Sequence, residues 1–106
     1  MTAAGELNRR LVLEAPVESA DGAGGVTRSY AEVATLWASL TPIADRAEVA
    51  AAELGAIVTH RIIIRAGREV TTRHRFRTGT RIFRIVAVRE LDSGQFLAIH
   101  AEERTD

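Results

Sequence analysis

The side chains best suited to acid–base or metal chemistry in this 106-residue chain are three histidines, His60, His74 and His100. They lie far apart, without the close spacing of a zinc site, and the chain has no cysteine to complete one. Solvated or core-hydrogen-bonded roles are expected of them. Ser39 and Ser93 lack the glycine-flanked elbow that exposes a nucleophilic serine. Glu102 and Glu103 are neighbours on an expected strand, so they point to opposite faces and cannot share a substrate. Asp45 and Glu48 suit the two ends of a capping box, a structural role. Gly22-Ala23-Gly24-Gly25 has the glycines of a phosphate loop, but no lysine follows and a strand, not a helix, comes next. No catalytic constellation, cofactor site or metal site is expected.

The stronger bias lies in the arginines. Residues 61–89 hold nine arginines and one acid, Glu69, whereas the rest of the chain holds five arginines and thirteen acids. The net charge of zero therefore conceals about +8 in one segment and −8 elsewhere, with no lysine at all. Arginine supplies planar, bidentate donors for carboxylate or phosphate. Two readings follow. Basic and acidic elements can face each other within a subunit or between subunits, or the basic segment can face nucleic acid. The aromatics do not favour base stacking, because Phe76, Phe83 and Phe96 each fit a core alternation. Trp37 reads as a core or interface anchor.

These side chains must be carried by strands. Leu7, Arg9, Leu11 and Leu13 alternate with Asn8, Arg10, Val12 and Glu14 in a first strand that Pro16 should end. A turn at 21–25 and a short strand at 26–30 complete a hairpin with a long, flexible tip. Leu36, Ala38 and Leu40 mark the next strand, stopped by Pro42. The period then changes, and Asp45 caps an expected helix that leaves at Gly55. Strands follow at 57–65, 70–78, 81–90 and 95–102, separated by turns at 66–68, 78–80 and 92–94. In the second of these, Arg73, Arg75 and Arg77 share one face. The fold class expected is mainly β: one domain over residues 1–106, a small antiparallel barrel of about six strands, with one short α-helix and long loops. Residues 57–65 and 81–90 are apolar on both faces, which suggests burial against another copy.

The order of these features resembles a known family. Leu7-Asn8-Arg9-Arg10-Leu11-Val12-Leu13 leads to the Asp21-Gly22…Gly24-Gly25-Val26 turn, then to Leu36-Trp37-Ala38-Ser39-Leu40-Thr41-Pro42. An alanine/glutamate segment, Thr59-His60-Arg61-Ile62-Ile63-Ile64-Arg65, and a last strand Leu97-Ala98-Ile99-His100-Ala101-Glu102 complete the series. Over nearly its whole length the chain resembles the phage head–tail joining proteins, the head-closure or "stopper" connectors.

The resemblance implies a non-enzymatic virion protein that forms a sixfold ring at the head–tail junction. Its partners would be other copies, a portal or adaptor protein above, a tail-terminator protein below, and DNA passing non-specifically through the channel. It would need no cofactor and no membrane, and would be made and assembled in the bacterial host cytoplasm. The particle could be a phage, a prophage or a gene transfer agent. On this reading Arg61, Arg65, Arg73, Arg75 and Arg77 face a neighbouring subunit or the DNA channel. Asp21, Gly22, Gly24 and Gly25 at the hairpin tip, with Arg46, Glu48 and Glu53 on the helix, contact the adaptor or tail. Charge reversal at Arg73 and Arg75 should abolish joining and leave the fold intact. The rival reading is a small OB- or Sm-like barrel that binds nucleic acid.

Overall fold

Alternation builds the first two strands, and both run further than their proline and glycine signals suggest. The computed structural model describes residues 4–43 and 57–104. Strand β1 (Arg9–Ala20) passes straight through Pro16. Beyond Glu14, β1 pairs among the described residues only with β2 (Val26–Pro42), so Pro16 lies on an edge where its missing N–H can face outward. β2 is one continuous strand of 17 residues, not the two short strands expected. Leu13 pairs with Ala34 but Glu14 pairs with Glu32, leaving Val33 as an extra residue in a bulge.

The 21–25 tip is also tighter than the flexible loop expected. The Asp21 carboxylate accepts the N–H groups of Ala23 at 2.8 Å and Gly25 at 3.0 Å, while the Asp21 N–H donates to the Gly25 carbonyl at 3.1 Å. Gly22 and Gly24 adopt φ of 81° and 87°, which a side chain would oppose.

Four further strands close the sheet: β3 (His60–Arg65), β4 (Arg75–Thr78), β5 (Arg81–Leu91) and β6 (Phe96–Arg104). The closed order is β1-β2-β3-β6-β5-β4, and every pairing is antiparallel. Leu11, Leu13, Ile62, Ile64, Phe76, Phe83, Ile85 and Ile99 fill the interior, none more than 1% exposed. The mainly β six-stranded barrel expected from the sequence is what the chain forms. The helix expected over 46–54 lies outside the described residues.

Two details depart from simple alternation. The 70–78 strand shrinks to Arg75–Thr78, because 71–74 forms a turn in which the Thr71 N–H donates to His74 Nδ1 at 3.1 Å. In β5 the register shifts between Ile85 and Ala87, so Val88 packs on the same core as Phe83 and Ile85.

The apolar outer face of β3 has its own cover. Ile63 is 7% exposed because Leu7, Phe96 and Leu91 gather over it in a second cluster. For Ile63 the N-terminal segment and the β5–β6 hairpin supply the cover, whereas Ile57 stays 58% exposed.

Beyond the barrel, β1 and β2 continue as a two-stranded arm, within an overall extent of 51 × 29 × 26 Å. One face of the arm carries Glu14 and Glu32, Pro16 and Tyr30, then Glu18 and Arg28 as cross-strand pairs. The other face carries Ala15, Val17, Ser19, Thr27, Ser29 and Ala31, with no charge.

Candidate functional site

Where the arm leaves the barrel, one buried carboxylate organises two arginines. The Glu14 side chain is 8% exposed and accepts Arg75 Nε at 2.7 Å and Arg77 Nε at 3.0 Å. Glu14 and Arg75 are register partners across β1 and β4, so the strands place this pair directly. Burial alone would push the Glu14 carboxyl up, but the hydrogen bonds and charges of Arg75 and Arg77 outweigh it and hold it below its ordinary value. Arg75 also lies 3.8 Å over the Tyr30 ring, which ties the arm to the barrel.

Beside this cluster is a hollow of about 390 Å³ lined by five arginines, Arg28, Arg73, Arg75, Arg84 and Arg104, together with Pro16, Tyr30, Thr72, His74 and Ile82. No carboxylate among the described residues lines it. The acids that balance these arginines are few and shared. Glu14 serves Arg75 and Arg77, Glu102 serves Arg84 and Arg104 at 3.3 Å each, and Glu18 serves Arg28 at 3.0 Å. Arg73 is exposed and has no ion pair among the described residues. Among the described residues, six arginines thus meet three carboxylates, an excess of three positive charges. Counting exposed Glu32, which faces Glu14 across the arm, still leaves two.

The five arginines singled out from the sequence separate in the fold. Arg73 and Arg75 meet at the hollow, and Arg77 stands behind them on Glu14. Arg61 and Arg65 are exposed on β3. Arg61 is paired in register with His100, whose pKa is lowered by burial first and then by Arg89 and Arg61. Arg65 lies 5.9 Å from the Phe96 ring and borders a second hollow with Leu7, Asn8 and Trp37. Trp37 is 57% exposed beneath Arg10, so it is no core residue. Asp21, Gly22, Gly24 and Gly25 sit together at the arm's tip. Arg46, Glu48 and Glu53 lie outside the described residues.

One polar cluster escaped the sequence reading. His60 is buried, with Nδ1 2.9 Å from Thr59 Oγ1, Nε2 3.8 Å from Glu103 and its ring edge-on to Phe83. The order Thr–His–Glu invites comparison with a nucleophilic triad. However, Thr59 Oγ1 already accepts the Glu103 N–H at 2.7 Å and lies 3.4 Å from the Ala101 carbonyl, while Glu103 takes two hydrogen bonds from Arg81. Burial lowers the His60 pKa, although Glu103 opposes this. The cluster fastens β3, β5 and β6, and holds the hydroxyl in backbone contacts.

The comparisons with known proteins decide the family. The family model described as phage head completion protein matches residues 2–104. The chain belongs to the phage head completion protein family. A solved chain from the virion of a native gene transfer agent particle is 36% identical, covers 92% of this chain and 94% of its own, and superposes with a TM-score of 0.66. Protein SF1141 from Shigella flexneri 2a shares the fold, with a TM-score of 0.77, 23% identity and 96% of each chain covered. No curated protein matches the chain. The resemblance drawn from the order of strands and turns is thus correct, and it identifies a phage structural family.

In this head completion protein, the residues missing from the sequence-based site are Arg28, Arg84 and Arg104. Arg84 belonged to the arginine-rich segment, but Arg28 and Arg104 lie far from it in sequence. Only the length of the arm and the β5–β6 pairing bring them to Arg73 and Arg75.

Proposed function

We propose that this chain is a structural, non-catalytic connector subunit. Copies form a ring at the head–tail junction of a phage, prophage or gene-transfer-agent particle, between the portal or adaptor protein and the tail-terminator protein. There the ring helps to retain and pass DNA. The observation that carries this reading is the family match across residues 2–104, joined by 36% identity to a chain of a gene transfer agent virion.

Two features of the molecule support it. A ring needs two different surfaces on each subunit, one matching the other on the next copy. The arm and the arginine-lined hollow are distinct surfaces that the chain's own core does not use. The arm tip, with Asp21, Gly22, Gly24 and Gly25, is the proposed contact to adaptor or tail. Arg61 and Arg65, exposed on β3, are the proposed contacts to a neighbouring copy or to the channel.

The test is deletion of the gene in a particle-producing strain, followed by electron microscopy of particles complemented with a gold-labelled chain. The connector reading requires tailless heads in the deletion and gold at the neck after complementation. Normal tailed particles without the chain would refute it. The rival OB- or Sm-like reading predicts salt-sensitive binding of short single strands by the isolated protein.

A further inference from the structure

We infer that the hollow between arm and barrel receives an acidic segment of a neighbouring protein chain. Its arginines would grip two or three carboxylates of that segment. The inference rests on the connector reading only for placing a protein neighbour there; the charge argument stands on this chain alone.

Among the described residues, two positive charges in excess even when Glu32 is counted stand around one concavity and repel one another until an anion enters. The donors are also set in advance. Arg75 and Arg84 each use Nε for an internal glutamate, which leaves their terminal nitrogens without an ion pair among the described residues while their stems are held. Fixed donors lose little freedom on binding, so the hollow is preorganised for paired oxygens.

Carboxylates and phosphates share this chemistry, and the surroundings favour carboxylates on a polypeptide. The arginines line a recess of about 390 Å³ at the root of a projecting arm, where a side chain fits but a rigid duplex would touch only the rim. Nearby bases would find few stacking platforms among the described residues, since Arg75 already covers the Tyr30 ring and His74 is partly buried. With a net charge of zero, the chain also lacks the overall positive field that draws DNA.

The test uses the full chain with two probes, a synthetic peptide in which glutamate alternates with alanine and a short DNA duplex. Peptide binding should weaken as salt rises and fall roughly tenfold or more in Arg28→Glu/Arg73→Glu. Both substituted residues are exposed, so this variant keeps the core. A peptide with arginine in place of glutamate should bind the double variant better than the wild type. Duplex DNA that displaces the peptide at equal concentration would make the hollow a phosphate site and overturn the inference. So would unchanged peptide affinity in the double variant, or no peptide binding at low salt. None of these outcomes bears on the connector reading, which stands or falls on the gene deletion.

Discussion

Leu11 and Leu13 in the barrel half of β1 are wholly buried, whereas Val17 in the arm half of the same strand is 43% exposed. Nothing in the local alternation marks the change. In the barrel, each inward side chain meets residues from several strands, and closure leaves no open edge there. In the arm, the two strands pair with each other, and beyond Pro16 and Tyr30, where Arg75 touches the arm, both faces are exposed. A lone hairpin is marginal without something to pack on. The barrel holds itself together, whereas on the connector reading proposed above the arm is completed by contact with a partner.

The sharpest way to break this comparison is to excavate the barrel. Phe76→Ala should cost about 3–5 kcal/mol in urea unfolding, because Phe76 is fully buried in the main core. Val17→Ser in the arm should stay within about 0.5 kcal/mol.

The junction comes next. Glu14→Gln removes the charge that Arg75 and Arg77 share and should cost about 2 kcal/mol. Arg75→Glu would set a second carboxylate against buried Glu14, so it should destabilise at least as much. Arg73→Glu should leave the unfolding midpoint near wild type, because Arg73 has no ion pair among the described residues. Reversal at both arginines should therefore not spare the fold as the sequence suggests; only reversal at Arg73 is expected to.

Acid should expose the junction as well. His60 and His100 have lowered pKa values, so stability is complete above about 6.5 and declines as the unfolded chain takes up their protons below it. Glu14 and Glu103 are also lowered. Their contribution is present above about 4.5 and is lost as pH falls through their depressed folded values. Thermal melts from pH 7 to 3 should show a shallow loss followed by a steeper one, and Glu14→Gln should flatten the second. The smallest effect belongs to the tip: Asp21→Ala should speed amide exchange at Ala23 and Gly25 without moving the melting temperature.

Much of the barrel was legible in the sequence. Period-two alternation and turn residues placed β3, β5 and β6 nearly correctly and β4 only in its second half, with the buried phenylalanines among them. The errors have physical causes. Pro16 reads as a stop because a central strand would exclude it, yet the arm is an edge on both sides. The bulges at Val33 and Val86 insert one residue each, and that reverses the faces assigned downstream. Ile63 looked like an intersubunit residue because its cover, Leu7, is distant in sequence. At the candidate site, charge segregation was visible but pairing was not. Composition cannot tell that Glu14 would serve two arginines or that Arg28 would reach the same hollow as Arg104.

The most direct test of the division between barrel and arm replaces residues 17–29 by an Asn-Gly turn, which keeps Glu14, Pro16 and Tyr30 in place. Urea unfolding and electron microscopy of complemented particles are then measured on the same variant. A wild-type unfolding midpoint with DNA-filled heads that fail to join tails is the predicted result. Normal tailed particles from the armless chain, or a barrel that no longer folds, would contradict it.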